Sequence, residues 1–222
     1  MKYLKSDSES VIRTAEALKA KKIVIIPTDT VYGFSGIVSG SGDVGNRGVL
    51  DCDSGKSSCS DISCINTDER IRHIKGREAY KPFIQLISAP EDIKLITDDP
   101  IPDELFSLWP GALTIIVNDK RYPCDKDGKK TTVAVRCPGD AWLRDVIRET
   151  GSAIYSTSVN RSGKPVLSDI ADIVAEFGDE VDVIIDDGDK RNALPSTIVS
   201  VADGKCTVIR QGSVVIADTL IR

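Results

Sequence analysis

The chain has 222 residues, of which 41% are hydrophobic and 28% charged, which fits a globular protein with a sizeable core. Its net charge of −5 weighs against nucleic acid as the main ligand, because proteins that grip phosphate backbones carry a basic footprint. A single histidine, His73, rules out multi-histidine metal sites.

The start of the chain is polar, with no apolar region of signal-peptide type, and no apolar run approaches the ~20 residues of a membrane helix. A cytoplasmic protein that does not enter membranes is expected. Six cysteines are present and none forms a C-x-x-C pair, so reduced thiols are the default.

Taken in chain order, Ser6-x-x-Glu9 reads as a capping box, followed by Val11, Ile12, Ala15 and Leu18 at helical spacing. The run 23–26 reads as a buried strand and 32–38 as a second one. A helix is predicted over 67–75, a strand over 83–87, and short helices broken by proline over 91–108. Strands follow at 113–117, 132–136 and 153–156. Asp140 is placed to cap a helix ending at Gly151, and Ser168 one ending at Gly178. Strands at 181–185, 197–201 and 207–210 complete the series. Such interleaving predicts an α/β fold with a twisted, partly parallel sheet.

The stretch 39–65 breaks this texture, being rich in Gly, Ser, Asp and Cys without periodicity, and reads as a surface insertion loop. Two phosphate-binding strings inside it fail. Gly40-Ser41-Gly42-Asp43-Val44-Gly45 lacks the amphipathic helix that a dinucleotide fingerprint requires next. Gly55-Lys56-Ser57 lacks the earlier glycine of a P-loop, whose place is taken by Leu50. His73, between Arg72 and Lys75 and off the Ile71/Ile74 face, reads as a solvated surface residue.

The informative segments put polar residues where strands end, which is where open α/β sheets collect ligands. Pro27-Thr28-Asp29-Thr30-Val31-Tyr32-Gly33 follows the first buried strand, and taken alone is equally a capped turn. Lys75, Arg77 and Lys81 set three cations within seven residues after a helix. They either pair with the helix dipole or converge on an anion such as a triphosphate. Tyr155-Ser156-Thr157-Ser158-Val159-Asn160-Arg161-Ser162-Gly163, Pro195-Ser196-Thr197 and Arg210-Gln211-Gly212 add hydroxyls, an amide and a guanidinium, and Arg136 closes the strand 132–136.

In this order, PTDTVYG, KGR…KP, WPGALT, TVAVRCP, STSVN-RSG, PSTIV and IRQG resemble the YrdC-like family of threonylcarbamoyl-adenylate synthases. The resemblance runs from Pro27 to Gly212 and implies a single YrdC-like domain over 1–222. It also implies a mixed sheet flanked by helices around a concave nucleotide site. Carried over by motif, Lys75 and Arg77 are the catalytic pair. Lys75, Arg77, Lys81, Thr132, Ser158, Asn160, Val166 and Arg210 would face ATP. Thr30, Arg136, Ser156 and Ser196 would hold L-threonine, with Arg136 on its carboxylate. Leu86 stands where many relatives carry a histidine, and Phe34 where leucine is common. With little chain after Arg210, the sequence resembles the short form of the family.

The implied reaction joins L-threonine, bicarbonate (or CO2) and ATP, with Mg2+ accompanying the nucleotide, and releases pyrophosphate. The product would reach tRNA through a downstream threonylcarbamoyl transferase. A carbamate oxygen is already anionic at neutral pH, so alignment and charge stabilisation would serve better than a strong base. Two readings compete with this one: a double-stranded-RNA-binding module of the same fold, and a carbamoyl-adenylate enzyme with another acceptor. Salt-dependent RNA affinity without ATP binding would mark the first, and turnover without threonine the second.

Overall fold

The computed structural model describes residues 1–38, 66–78, 82–122, 124, 128 and 130–217. The 39–65 stretch and Lys81 therefore lie outside the described residues. The strands are β1 (Lys2–Leu4), β2 (Val24–Ile26), β3 (Gly33–Ile37), β4 (Ile84–Leu86), β5 (Leu113–Asn118), β6 (Thr132–Arg136), β7 (Ile154–Ser158), β8 (Val183–Asp186), β9 (Thr197–Ser200) and β10 (Thr207–Arg210). They form one sheet in the order β1-β8-β2-β3-β7-β4-β6-β5-β9-β10. The pairs β1/β8, β2/β8, β4/β6 and β5/β9 are parallel and the rest antiparallel, so the sheet is mixed, as expected.

Side-chain alternation along the strands sets the layers. Ile23 and Ile25 on one face, with Ile184 of β8, pack against α2 (Thr67–Lys75) and α5 (Ile170–Phe177). Val24 and Ile26 on the other face, with Val183 and Ile185, pack against α1 (Ser10–Lys19) and α4 (Ala141–Thr150). That two-sided burial is why this segment reads as a continuous apolar run rather than an alternating one. Phe34 meets Phe177 edge-to-face at 4.9 Å, a geometry worth about 0.5–1.5 kcal/mol beyond its buried area.

At the far end of the sheet only one face is buried in this way. Leu113, Ile115, Val117, Val133, Val135 and Val199 form a third core with the 3-10 helix Pro90–Leu95 and the short α3 (Asp103–Phe106). The residues between them, Ile116, Ala134, Arg136 and Ile198, point the opposite way and line an open cavity. The alternation therefore supplies both a core and a binding surface.

Several local expectations need correction. No capping box forms at Ser6: α1 begins at Ser10, and Glu9, its first flanking residue, makes no side-chain cap. The helix buries Ser10, Thr14 and Leu18, while Ile12 is exposed. Small side chains on that face let α4 approach closely enough for Trp142 Nε1 to donate to Ser10 Oγ at 2.9 Å. Asp140 caps α4 as expected, accepting from Leu143 N at 3.2 Å. At α5 the cap is Asp169, accepting from Ala171 N at 2.8 Å, rather than Ser168. The edge strand β1 has no counterpart in the sequence reading. It pairs only on the β8 side, so neither of the periodic patterns used to find strands marks it.

His73 is exposed, and Cys124, Cys137 and Cys206 are free thiols. Among the described residues, no helix is long and apolar enough to cross a membrane.

Candidate functional site

The cavity, of about 340 Å³, is lined by Thr28, Thr30, Arg77, Pro82, Arg136, Ser156, Ser158, Ser196 and Arg210 and floored by Ile84, Ile116, Ala134 and Ile198. Its walls are loops that the sequence ties down locally. After β2, Thr28 Oγ1 donates to Val31 O at 2.8 Å and accepts from Thr30 N at 3.0 Å, which closes the turn on itself. Both threonines are buried. A Cβ at Gly33, at the start of β3, would lie 2.8 Å from Ser156 Oγ, so the Ser156 side chain would have to turn away.

Arg136 sits at the end of β6 and is 4% exposed. Its Nη1 donates to Thr30 Oγ1 at 3.0 Å, its Nη2 pairs with Asp29, and its Nε is buried without a partner among the described residues. Burial, with a smaller push from the Arg210 charge, lowers its pKa to about 10, so the group stays cationic at neutral pH.

Ser196 Oγ lies 2.9 Å from Thr114 Oγ1, and Arg210 Nη2 donates to Ser196 O at 2.7 Å. Gly212 makes this corner possible: a Cβ on it would come within 2.2 Å of Pro195 O and 2.6 Å of Ser196 O. The glycine of IRQG thus lets β10 lie against the Pro195-Ser196 turn.

At the other end, Arg77 and Ser158 line the wall, and Arg77 Nη2 donates to Pro82 O at 3.0 Å. Lys75 behaves differently from its neighbour. It is 2% exposed, and its ammonium donates to Ser158 O, to Asn160 O at 3.0 Å and to Asn160 Oδ1 at 2.9 Å. Ser158 Oγ donates to the same Oδ1 at 2.9 Å. Lys75 thus clasps the loop after β7 and is not among the described lining residues of the cavity. Burial first, and the Arg77 charge second, push its pKa down to about 7.

The structure therefore brings Thr30, Arg77, Arg136, Ser156, Ser158, Ser196 and Arg210 to one cavity. Thr132 lies in an adjoining cleft of about 190 Å³ that shares Pro82 with it. Val166 is exposed, and its side chain is not part of the described lining. Leu86 packs into the α1/α4 core. A larger cavity of about 640 Å³, around Gln85, Arg121 and Tyr155, holds none of the expected site residues.

Sequence reasoning missed Asp29, the carboxylate that pairs with Arg136. Its signal was present: it is the one acid in PTDTVYG, and a buried arginine needs a counter-charge. Three guanidinium groups line the cavity, and no carboxylate stands among the lining residues described. Such a site suits an anion beside hydroxyl and apolar groups.

The family model Sua5/YciO/YrdC, described as "Telomere recombination", matches residues 53–212. The chain belongs to this family. The match to the family model begins within the 39–65 stretch. A Bacillus subtilis relative named threonylcarbamoyl-AMP synthase is 27% identical over 95% of this chain and 56% of its own length. A Pseudoalteromonas translucida relative of the same name is 26% identical over 90% of this chain and 97% of its own. Among solved structures, P. abyssi Sua5 complexed with L-threonine superposes with a TM-score of 0.71 at 26% identity, covering 91% of this chain and 54% of that one. The chain thus spans little more than half the length of the Bacillus relative and of the P. abyssi protein.

Proposed function

We propose that this chain is an L-threonylcarbamoyladenylate synthase, an adenylyl-transferring enzyme that supplies the activated intermediate for threonylcarbamoyladenosine in tRNA. The observation that carries the reading is that Arg136 lines the same cavity as Thr30, Ser156 and Ser196. A guanidinium fork beside hydroxyls is what a small hydroxy amino acid needs to be held by its carboxylate. The names of the Bacillus and Pseudoalteromonas relatives and the threonine complex of the P. abyssi protein point the same way.

In this reading, threonine's amine takes up CO2 as a carbamate. A carbamate oxygen then attacks the α-phosphate of ATP, and pyrophosphate leaves from the opposite side. Arg136 orients the amino acid, Arg77 and Arg210 offset the phosphate charge, and Lys75 keeps Ser158 and Asn160 in place. Holding reactants in line in this way supplies up to about 7–11 kcal/mol of the barrier reduction. Lys81, Thr132 and Val166 are assigned to the nucleotide by family resemblance.

Mg2+ enters as part of the substrate MgATP. The lining described has no carboxylate, and no group of three or more His, Cys, Asp or Glu suited to a metal occurs among the described residues, so the donor set does not fit a resident ion. The reading places the reaction in the cytoplasm, ahead of a transferase that consumes the adenylate.

Incubation with MgATP, bicarbonate and L-threonine, followed by mass analysis, should yield threonylcarbamoyl-AMP and pyrophosphate. Folded protein that gives no adenylate overturns the reading. Pyrophosphate released equally without threonine would assign another acceptor.

A further inference from the structure

We propose that Asp29 is a positioning residue that presents the Arg136 guanidinium to the substrate carboxylate; this rests on reading the cavity as an amino-acid site. Asp29 uses both carboxylate oxygens. Oδ1 pairs with Arg136 Nη2, and Oδ2 accepts from Gly139 N at 2.8 Å. One side chain therefore links the loop after β2, the end of β6 and the turn that leads into α4. Thr30, its neighbour, takes Nη1 at 3.0 Å.

A guanidinium carries five N–H groups in a fixed plane. With one contact on each terminal nitrogen, rotation about the Cζ axis is blocked and the plane is set. Nε is buried and has no acceptor among the described residues, while the residue as a whole lines the cavity. An unpaired buried donor is costly, so the guanidinium stays in this plane only because its other contacts hold it there. Asp29 also supplies the countercharge that a cation 4% exposed needs before any ligand arrives. Its side chain is 18% exposed and is not among the described lining residues.

The opposite role is also concrete. A carboxylate on Arg136 could compete with the substrate for the same guanidinium. Positioning requires that loss of the Asp29 charge weaken threonine binding, and competition requires that it strengthen it.

The test is calorimetric titration of L-threonine, and separately of MgATP, into wild-type protein, Asp29→Asn and Asp29→Glu, with a melting curve for each. Positioning predicts that Asp29→Asn raises the threonine Kd about tenfold or more, the scale of one hydrogen bond to a charged group, and leaves the ATP Kd within twofold. In turnover, the KM for threonine should rise while kcat at saturating threonine is kept, a split that general loosening of the fold would not give. Unchanged or tighter threonine binding by folded Asp29→Asn overturns the proposal. Should that variant not fold, Asp29→Glu decides. Its extra methylene displaces the guanidinium, so threonine binding must fall severalfold, and wild-type affinity would overturn the proposal. Wild-type protein that fails to bind threonine would instead overturn the functional reading on which the proposal rests.

Discussion

Lys75 and Asn160 are 85 positions apart, and the Lys75 ammonium reaches both the backbone and the side-chain oxygen of Asn160, at 3.0 and 2.9 Å. Lys75-Gly76-Arg77 and Ser158-Val159-Asn160 are therefore one physical unit. The lysine end of the first is the clasp that shapes the second, which leaves Arg77 to face the cavity.

Replacing Lys75 by methionine keeps most of the volume and removes the donors. Each stranded acceptor costs about 1–3 kcal/mol, so the urea midpoint should fall and ATP binding should weaken with it. A pH signature accompanies this. The Lys75 pKa is about 7 in the folded state, against an ordinary 10.5. Between those values the unfolded chain binds the extra proton, so this group makes stability rise with pH. Below about 7 both states are protonated and its contribution is flat. The stability difference between wild type and Lys75→Met, followed by denaturant titration from pH 6 to 10, should therefore shift in favour of wild type as pH rises. A pH-independent difference would contradict the lowered pKa of Lys75.

Gly212→Ala tests the corner between β9 and β10. Its Cβ would lie 2.2 Å from a backbone oxygen, so the strand or the Pro195-Ser196 turn must move. Overpacking of this kind costs about 1–3 kcal/mol, or roughly 2–12 °C in Tm at this chain length. Because Ser196 and Arg210 are displaced together, turnover measured well below the new Tm should also drop. Wild-type activity with a lowered Tm would separate the corner from the site.

Much of this was legible in the sequence because it rests on short-range patterns. The run 23–26, the alternation in 113–117 and 132–136, and the Asp140 cap each declare themselves within a few residues. The motif residues were found one by one, yet their convergence depends on the order β7-β4-β6-β5-β9-β10, a long-range property that no local period encodes. The same limit explains why the contacts of Lys75 and Asp29 could not be read from the sequence. Lys75 looks like a surface cation on a helix end until Ser158 and Asn160 are brought above it. Asp29 looks like a turn residue until Arg136 arrives from a strand 107 positions away.

Arg77→Ala should leave the fold nearly intact, since Arg77 is half-buried, outside the three apolar cores, and packs its guanidinium over Phe83 at 5.3 Å beside the Pro82 carbonyl. Loss of one donor that offsets developing charge typically costs about 10²–10³ in rate. ATP–pyrophosphate exchange in the presence of threonine and bicarbonate should fall by that order, with melting within a few degrees of wild type. Exchange at the wild-type rate would remove Arg77 from the phosphate site.

Substrate choice should be uneven in a way that the lining dictates. Serine lacks only threonine's methyl, and an apolar floor of Ile84, Ile116, Ala134 and Ile198 rewards a methyl by about 1–3 kcal/mol, so threonine should win by roughly 10–200-fold in kcat/KM. Valine keeps the shape and loses the hydroxyl. A site whose walls carry Thr30, Ser156 and Ser196 would strand polar groups against it, a penalty that reaches about 10⁴ or more in sites built around a substrate hydroxyl. Competition between the three amino acids, read by the mass of the adenylate formed, should rank threonine over serine and serine over valine. Valine turned over faster than serine would mean that the apolar floor, not the hydroxyls, selects the side chain, and the assignment of Thr30, Ser156 and Ser196 to the amino acid would fall.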